Sequence, residues 1–141
     1  MLWHYTKAIH LPKIISSGYI DVKSLKIPTG EKPVAWFSRH PFWEPTVSFP
    51  WGMDGFIARG IVPCRVSVLP DAAPLNWTAL RIQANISGHS AKYLLRVAKD
   101  CGANPLDWYG SLVPVPESQW QTIELFTETG WERLPDWSKT T

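Results

Sequence analysis

At 141 residues, 45% hydrophobic and 18% charged, the chain suits one folded domain and excludes a disordered one. Its net charge of +2, without any lysine or arginine run, permits nucleic-acid binding but does not call for it. Met1 to His10 lack the basic and apolar regions of a signal peptide. No apolar stretch approaches the roughly 18 residues of a membrane span. The expectation is a cytoplasmic protein with no membrane association.

The chain is rich in tryptophan and proline, with 9 and 13 respectively, so regular elements should be short. Leu2 to Thr6 reads as a strand, and Thr6 as a helix N-cap. Lys7 to Ser17 carries Ala8, Leu11 and Ile15 at helical spacing, with Pro12 in the first turn and Gly18 as the stop. Asp21 to Lys32 reads as a polar loop, and Pro33 to Ser38 as a strand buried on both faces. Proline punctuates Arg39 to Gly55, which predicts a short irregular helix near Trp43-Glu44 and then a loop. Phe49 to Arg59 and Asp71 to Trp77 also read as loops.

Ile61 to Leu69 alternates, with Val62, Cys64, Val66 and Val68 on one face and Arg65 and Ser67 on the other, which predicts a half-buried strand. Thr78 to Ile86 suggests a short helix. His89 to Cys101 is the clearest helix, with Ser90 as its cap, Leu94, Leu95, Val97, Ala98 and Cys101 as its apolar face, and Gly102 as its end. Asn104 to Trp108 is rich in turn formers. Ser111–Val115, Gln119–Phe126 and Trp131–Leu134 read as strands, the last two joined at Thr129-Gly130. Strands at both ends with helices between them make an α+β domain spanning residues 1–141.

Cys64 and Cys101 share no CxxC spacing and read as reduced thiols, and no metal-ligand spacing is present. His4 and Thr6 share one face of the first strand and Tyr5 takes the other. A histidine beside a hydroxyl can hold a ribose or a carboxamide. Trp36, Phe37 and Ser38 place two aromatics and a small polar residue on the second strand, where an aromatic can stack on a planar heterocycle. Taken separately, each strand reads more readily as structural. Arg65, Arg81, Lys92, Arg96 and Lys99 could line a phosphate face, although scattered charges usually mark a solvated surface. His10 and His89 read as surface residues.

A His-x-Thr triplet on the first strand, a helix ending in glycine, and an apolar-aromatic-aromatic-small strand resemble the ADP-ribosyltransferase superfamily. The similarity is to its His-first branch: poly(ADP-ribose) polymerases, diphtheria-type toxins, rifampin ADP-ribosyltransferase, DarT-type modifiers and RNA 2′-phosphotransferases. It covers about residues 2 to 46, and the remainder only by element order. The resemblance implies a small split-sheet domain with short helices around a central cleft, and NAD as the substrate. It implies that His4 holds the adenine-side ribose, the Tyr5 backbone the nicotinamide carboxamide, and that Thr6 supplies a hydroxyl. Trp36, Phe37 and Ser38 would wall the nicotinamide pocket, with Glu44 and Thr46 as polar contacts.

The family also places a carboxylate at the start of a late strand, where it stabilises the cationic ribose. Gln121 stands at that position here, with Glu117 upstream and Glu124 within the strand. By alternation Gln119, Gln121 and Ile123 share one face, and Trp120, Thr122 and Glu124 the other, so Glu117, Gln121 and Glu124 remain alternative catalytic candidates. The resemblance implies transfer of ADP-ribose to a protein, a nucleic acid or a small molecule. Two alternatives keep the fold: a non-catalytic binder of a nucleotide or a protein, such as an inhibitor or immunity-type factor, and an RNA 2′-phosphotransferase-like enzyme. The latter lacks its matching Arg-His pair, because Leu2 and Trp3 precede His4.

Overall fold

The computed structural model describes residues 1–23, 26–135 and 137. Strand β1 (Leu2–Lys7) runs one residue beyond the alternating segment, because Lys7 still pairs with Pro63 and the Ala8 N–H donates to Val62 O. Thr6 therefore lies inside the strand and is not a cap. A 3-10 turn, Ala8–His10, leads into α1 (Leu11–Ser17), whose first turn holds Pro12. Gly18 closes α1 at φ 76 and Gly102 closes a later helix at φ 78, a left-handed conformation that costs glycine nothing.

Strand β2 (Tyr19–Ile20) follows, then β3 (Ala35–Ser38). The polar loop expected over Asp21 to Lys32 includes residues 24 and 25, which lie outside the described residues. Helical structure near Trp43-Glu44 is a 3-10 turn at Pro45–Ser48, and the segment read as a loop holds α2 (Gly52–Ala58). Gly52 and Gly55 hide α2 from a propensity reading, and burial of Phe56 against Trp43 holds it in place.

Strand β4 (Pro63–Val68) is buried along its whole length, which corrects the half-buried reading. Arg65 and Ser67, expected to face water, are covered by aromatic side chains and by the next strand in the sheet. Strand β5 (Leu75–Asn76) precedes α3 (Trp77–Gln83), which Asn76 caps through the Ala79 N–H. Helix α4 (Gly88–Cys101) is capped by Ser87, not Ser90, whose hydroxyl instead donates to Glu31.

Strand β6 (Trp108–Ser111) ends where the sequence suggested a strand would begin. The Ser111 hydroxyl donates to Val113 O and accepts from Val113 N–H, and so closes a turn there. Strand β7 (Val115–Pro116) pairs with β2 in a separate small sheet. Strands β8 (Trp120–Thr127) and β9 (Gly130–Arg133) form the terminal hairpin, whose turn residues are Glu128 and Thr129.

The main sheet has the order β5-β6-β3-β1-β4-β8-β9, with every neighbouring pair antiparallel. With four short α-helices among the described residues this is a mixed α+β domain. One face packs Leu2, Val66, Val68 and Ile123 against Leu11 of α1. The other gathers Tyr5, Trp43 and Phe56 with Trp3 and Trp131. A third cluster, of Val34, Leu80, Ala84 and Ile86, seats α3 at the β5–β6 end. Among the described residues no helix is long and apolar enough to cross a membrane.

A β-bulge shifts the register between β4 and β8 at Ser67/Val68, so that Ser67 faces Thr122 and Val68 faces Trp120. Gln121 is the inserted residue. The bulge carries Trp120 onto the core face beside Ile123, three residues away, and corrects the alternation expected for this strand.

Candidate functional site

Strand β1 is held to β4 by six registered pairs but to β3 by one, Trp3 opposite Ser38. Beside that pair a cleft of about 700 Å³ lies between the two strands, the size of a small-molecule site. His4, Tyr5 and Thr6 line it from β1, and Trp36, Phe37 and Ser38 from β3. Glu44 and Thr46 line it from the following loop. All eight residues implied to hold a nucleotide thus border one cleft. Tyr93, Leu94 and Val97 of α4 and Trp108 of β6 also border it, as do Lys7, His10, Asp21 and Lys23. Only Lys7, directly after the His-x-Thr triplet, carried a local signal. The others reach the cleft through tertiary packing.

His4 is half-buried, with its ring against Phe37 and its Nδ1 2.8 Å from Trp36 O. A carbonyl oxygen only accepts, so Nδ1 carries the proton and donates. Burial is the main cause that lowers the His4 pKa below its ordinary 6.5, the bond to Trp36 O opposes it, and nearby His10 lowers it further. The ring is therefore neutral at pH 7 and offers Nε2 as an acceptor for a hydroxyl.

This depression has a sign that can be checked. The unfolded chain takes up the proton near 6.5, whereas the folded chain resists it. The stability contributed by neutral His4 is complete above that value and is lost as pH falls through the lowered folded pKa. Thermal melts from pH 8 to pH 5 should show wild type losing more stability on acidification than His4→Phe. Parallel curves would refute the assignment.

The Tyr5 side chain turns to the opposite face. Its hydroxyl donates to His40 O, and its ring packs edge-on to Trp43 at 5.3 Å. Burial is the largest influence raising its pKa, to about 12, against a lowering contribution from Arg65. The Tyr5 side chain is thus committed to the aromatic cluster.

Glu44 is 6% exposed and held on both oxygens. Oε1 accepts from the Ser38 hydroxyl at 3.0 Å, and Oε2 accepts from the Thr46 N–H at 3.2 Å and its hydroxyl at 2.7 Å. The Trp43 indole donates to Ser48 at 2.9 Å, which pins the same loop. The family resemblance implied Glu44 as a ligand contact, and its three hydrogen bonds fix the position of its carboxyl group within the cleft.

Glu117, Gln121 and Glu124 are not among the residues bordering the cleft. Glu124 faces Arg65 across the β4–β8 pair, with Arg65 Nε 3.1 Å and Nη2 3.4 Å from its oxygens. Arg65 also donates to Pro41 O at 2.7 Å and lies over the Trp131 ring at 4.3 Å. It is thus a buried member of the aromatic cluster rather than part of a phosphate-facing surface. Glu117 accepts from the Trp137 indole at 3.1 Å, and Gln121 occupies the bulge.

Both cysteines are free, and burial pushes the Cys64 thiol up to about 12, which leaves it unreactive. Among the described residues no group of three or more His, Cys, Asp or Glu is arranged to hold a metal ion. Comparison of the chain with protein families, with curated proteins and with solved structures gives no match.

Proposed function

We propose that the cleft between β1 and β3 binds NAD and that the protein is an ADP-ribosyltransferase of the His-first type. The supporting observation is that His4–Thr6 and Trp36–Ser38 border one cleft, with His4 neutral and its Nε2 available as an acceptor. A ribose hydroxyl donates to Nε2, the Tyr5 backbone pairs with an amide edge, and Trp36 and Phe37 offer aromatic surface to the nicotinamide. In the transfer, the bond from ribose C1′ to the nicotinamide nitrogen breaks and the nicotinamide keeps the electron pair. The acceptor nucleophile then bonds C1′ and loses its proton. Positive charge develops on the ribose, and Glu44 is the carboxylate fixed within the same cleft to favour it.

A second reading, a nucleotide-binding module without turnover, is favoured by one observation. The late-strand candidates Glu117, Gln121 and Glu124 lie outside the residues bordering the cleft, and Glu124 is already paired with Arg65.

Titration calorimetry and a nicotinamide-release assay separate these readings. Wild type should bind NAD, and His4→Ala should bind about 5- to 100-fold more weakly, the cost of one lost hydrogen bond in a desolvated site. Nicotinamide release that falls in Glu44→Gln, with binding retained, identifies the transferase. Binding without release identifies the module. An NAD-blind wild type would sink both readings.

A further inference from the structure

From the phase of α4 we infer that its exposed face is a docking surface for single-stranded nucleic acid. The inference concerns the outside of the helix and does not depend on what fills the cleft. Of the five cations that could line a phosphate face, Arg65 is paired with Glu124 and Arg81 lies on α3. The other three, Lys92, Arg96 and Lys99, follow one another by about one turn of α4, so they share one face of the helix. All three are exposed, as is His89 a turn earlier.

Charge on this face is unbalanced. Asp100 is the one acidic residue of α4, against the three cations. Glu31, beside the start of the helix, is engaged by the Ser90 hydroxyl at 2.7 Å. Among the described residues none of Lys92, Arg96 and Lys99 enters an ion pair. Ala91 of α4 packs in the cluster of Leu80 and Ile86 at the β5–β6 end of the sheet. Glu124, Glu128 and Glu132 stand on the β8–β9 hairpin at the opposite edge. Charge is thus segregated along the sheet, and α4 presents its basic end to an approaching polyanion.

The ring on the flank of this stripe decides the kind of polyanion. Tyr93 is 53% exposed, has the Arg96 guanidinium 5.7 Å from its centre, and borders the cleft. An exposed ring beside cations stacks on unpaired bases while the cations follow the phosphates. In a duplex the bases cover one another's faces, and an acidic peptide has none to offer. A helix that lies on a membrane turns its apolar face outward. In contrast, α4 commits Ala91, Val97 and Ala98 to the core, and of its leucines only Leu95 is exposed. From Lys92 to Lys99 the helix rises about 10 Å, the span of roughly three phosphates along one strand.

The test is fluorescence anisotropy with labelled oligo(dT) and oligo(U) of about 12 nucleotides, within the site sizes of single-strand binders. Lys92→Gln/Lys99→Gln is compared with Lys13→Gln/Arg133→Gln, which removes the same charge from exposed positions on α1 and β9. Circular dichroism melts establish that each variant is folded. Wild type should bind both oligonucleotides. The α4 double variant should bind at least about 10-fold more weakly at low salt, and its slope of log affinity against log salt should be shallower by about 1.4. The control double variant should stay near wild type. Tyr93→Leu, which removes the ring and keeps the charges, should cost at least about 5-fold. A wild type that binds neither oligonucleotide, or an equal loss in the two double variants, overturns the surface. A duplex of the same length that binds as tightly as the single strands overturns the single-strand assignment. So does binding of polyglutamate or phosphatidylserine vesicles as tight as that of the oligonucleotides, or a Tyr93→Leu protein that binds oligonucleotides like wild type.

Discussion

Replacing Glu124 by alanine should destabilise the protein by about 3–5 kcal/mol, the usual cost of stranding one partner of a buried ion pair. Arg65 is 8% exposed and its nearest opposite charge is Glu124, at 3.1 Å. Without that carboxylate the guanidinium keeps the Pro41 carbonyl and the faces of Trp131 and Trp3, but no counter-charge among these contacts. For a chain of this length the loss amounts to roughly 10–17 °C in Tm. The double substitution Arg65→Met/Glu124→Leu should recover most of it, because hydrophobic groups of similar volume replace buried ion pairs with little penalty. Denaturant melts of both singles and the double measure the coupling. A Glu124→Ala protein that melts with wild type would refute this account of the pair. The same measurement bears on catalysis: activity lost by Glu124 variants must exceed the loss of folded protein before a chemical role follows.

Trp120→Ala should cost about 3–5 kcal/mol as well, by a different route. Trp120 is fully buried, packs in the cluster with Val66, Val68 and Ile123, and donates its indole N–H to Val115 O at 3.1 Å. Alanine leaves a large cavity and an orphaned carbonyl. Trp120→Phe keeps most of the volume and loses only the donor, so it should cost about 1–3 kcal/mol. The ordering wild type, Phe, Ala in urea midpoints is the check, and equal midpoints for Phe and Ala would show that the ring is not filling a packed core. Because Val115 lies in β7, both variants also loosen the small sheet that β7 forms with β2.

The elements legible in the sequence are those whose determinants are local. Strand β1 and the side taken by each of His4, Tyr5 and Thr6 follow from alternation, because side chains on a strand can only alternate. Helices α1 and α4 end at Gly18 and Gly102 because only a residue tolerant of positive φ closes them cheaply. The pairing of Trp36–Ser38 with the first strand's face was legible as a pattern, through resemblance rather than geometry. The acid in the cleft was less so. Glu44 was named as a contact, whereas the late strand supplied the catalytic candidates.

What only the tertiary structure decided is where long-range contacts override those local rules. Arg65 alternates like a surface residue, yet it is buried because Glu124 faces it across β4–β8 and aromatic rings cover it. Gln121 breaks the phase of β8 because a bulge is set by the partner strand, at Ser67/Val68, and nothing in residues 119–126 announces it. Helix α2 forms despite two glycines because burial of Phe56 exceeds the cost in propensity. The cleft itself exists because β1 and β3 share a single registered pair, so their facing edges are not taken up by each other. Sequence determined which side chains can face that space, since alternation is a property of one strand. Tertiary structure decided that there is a space, since separation is a property of two.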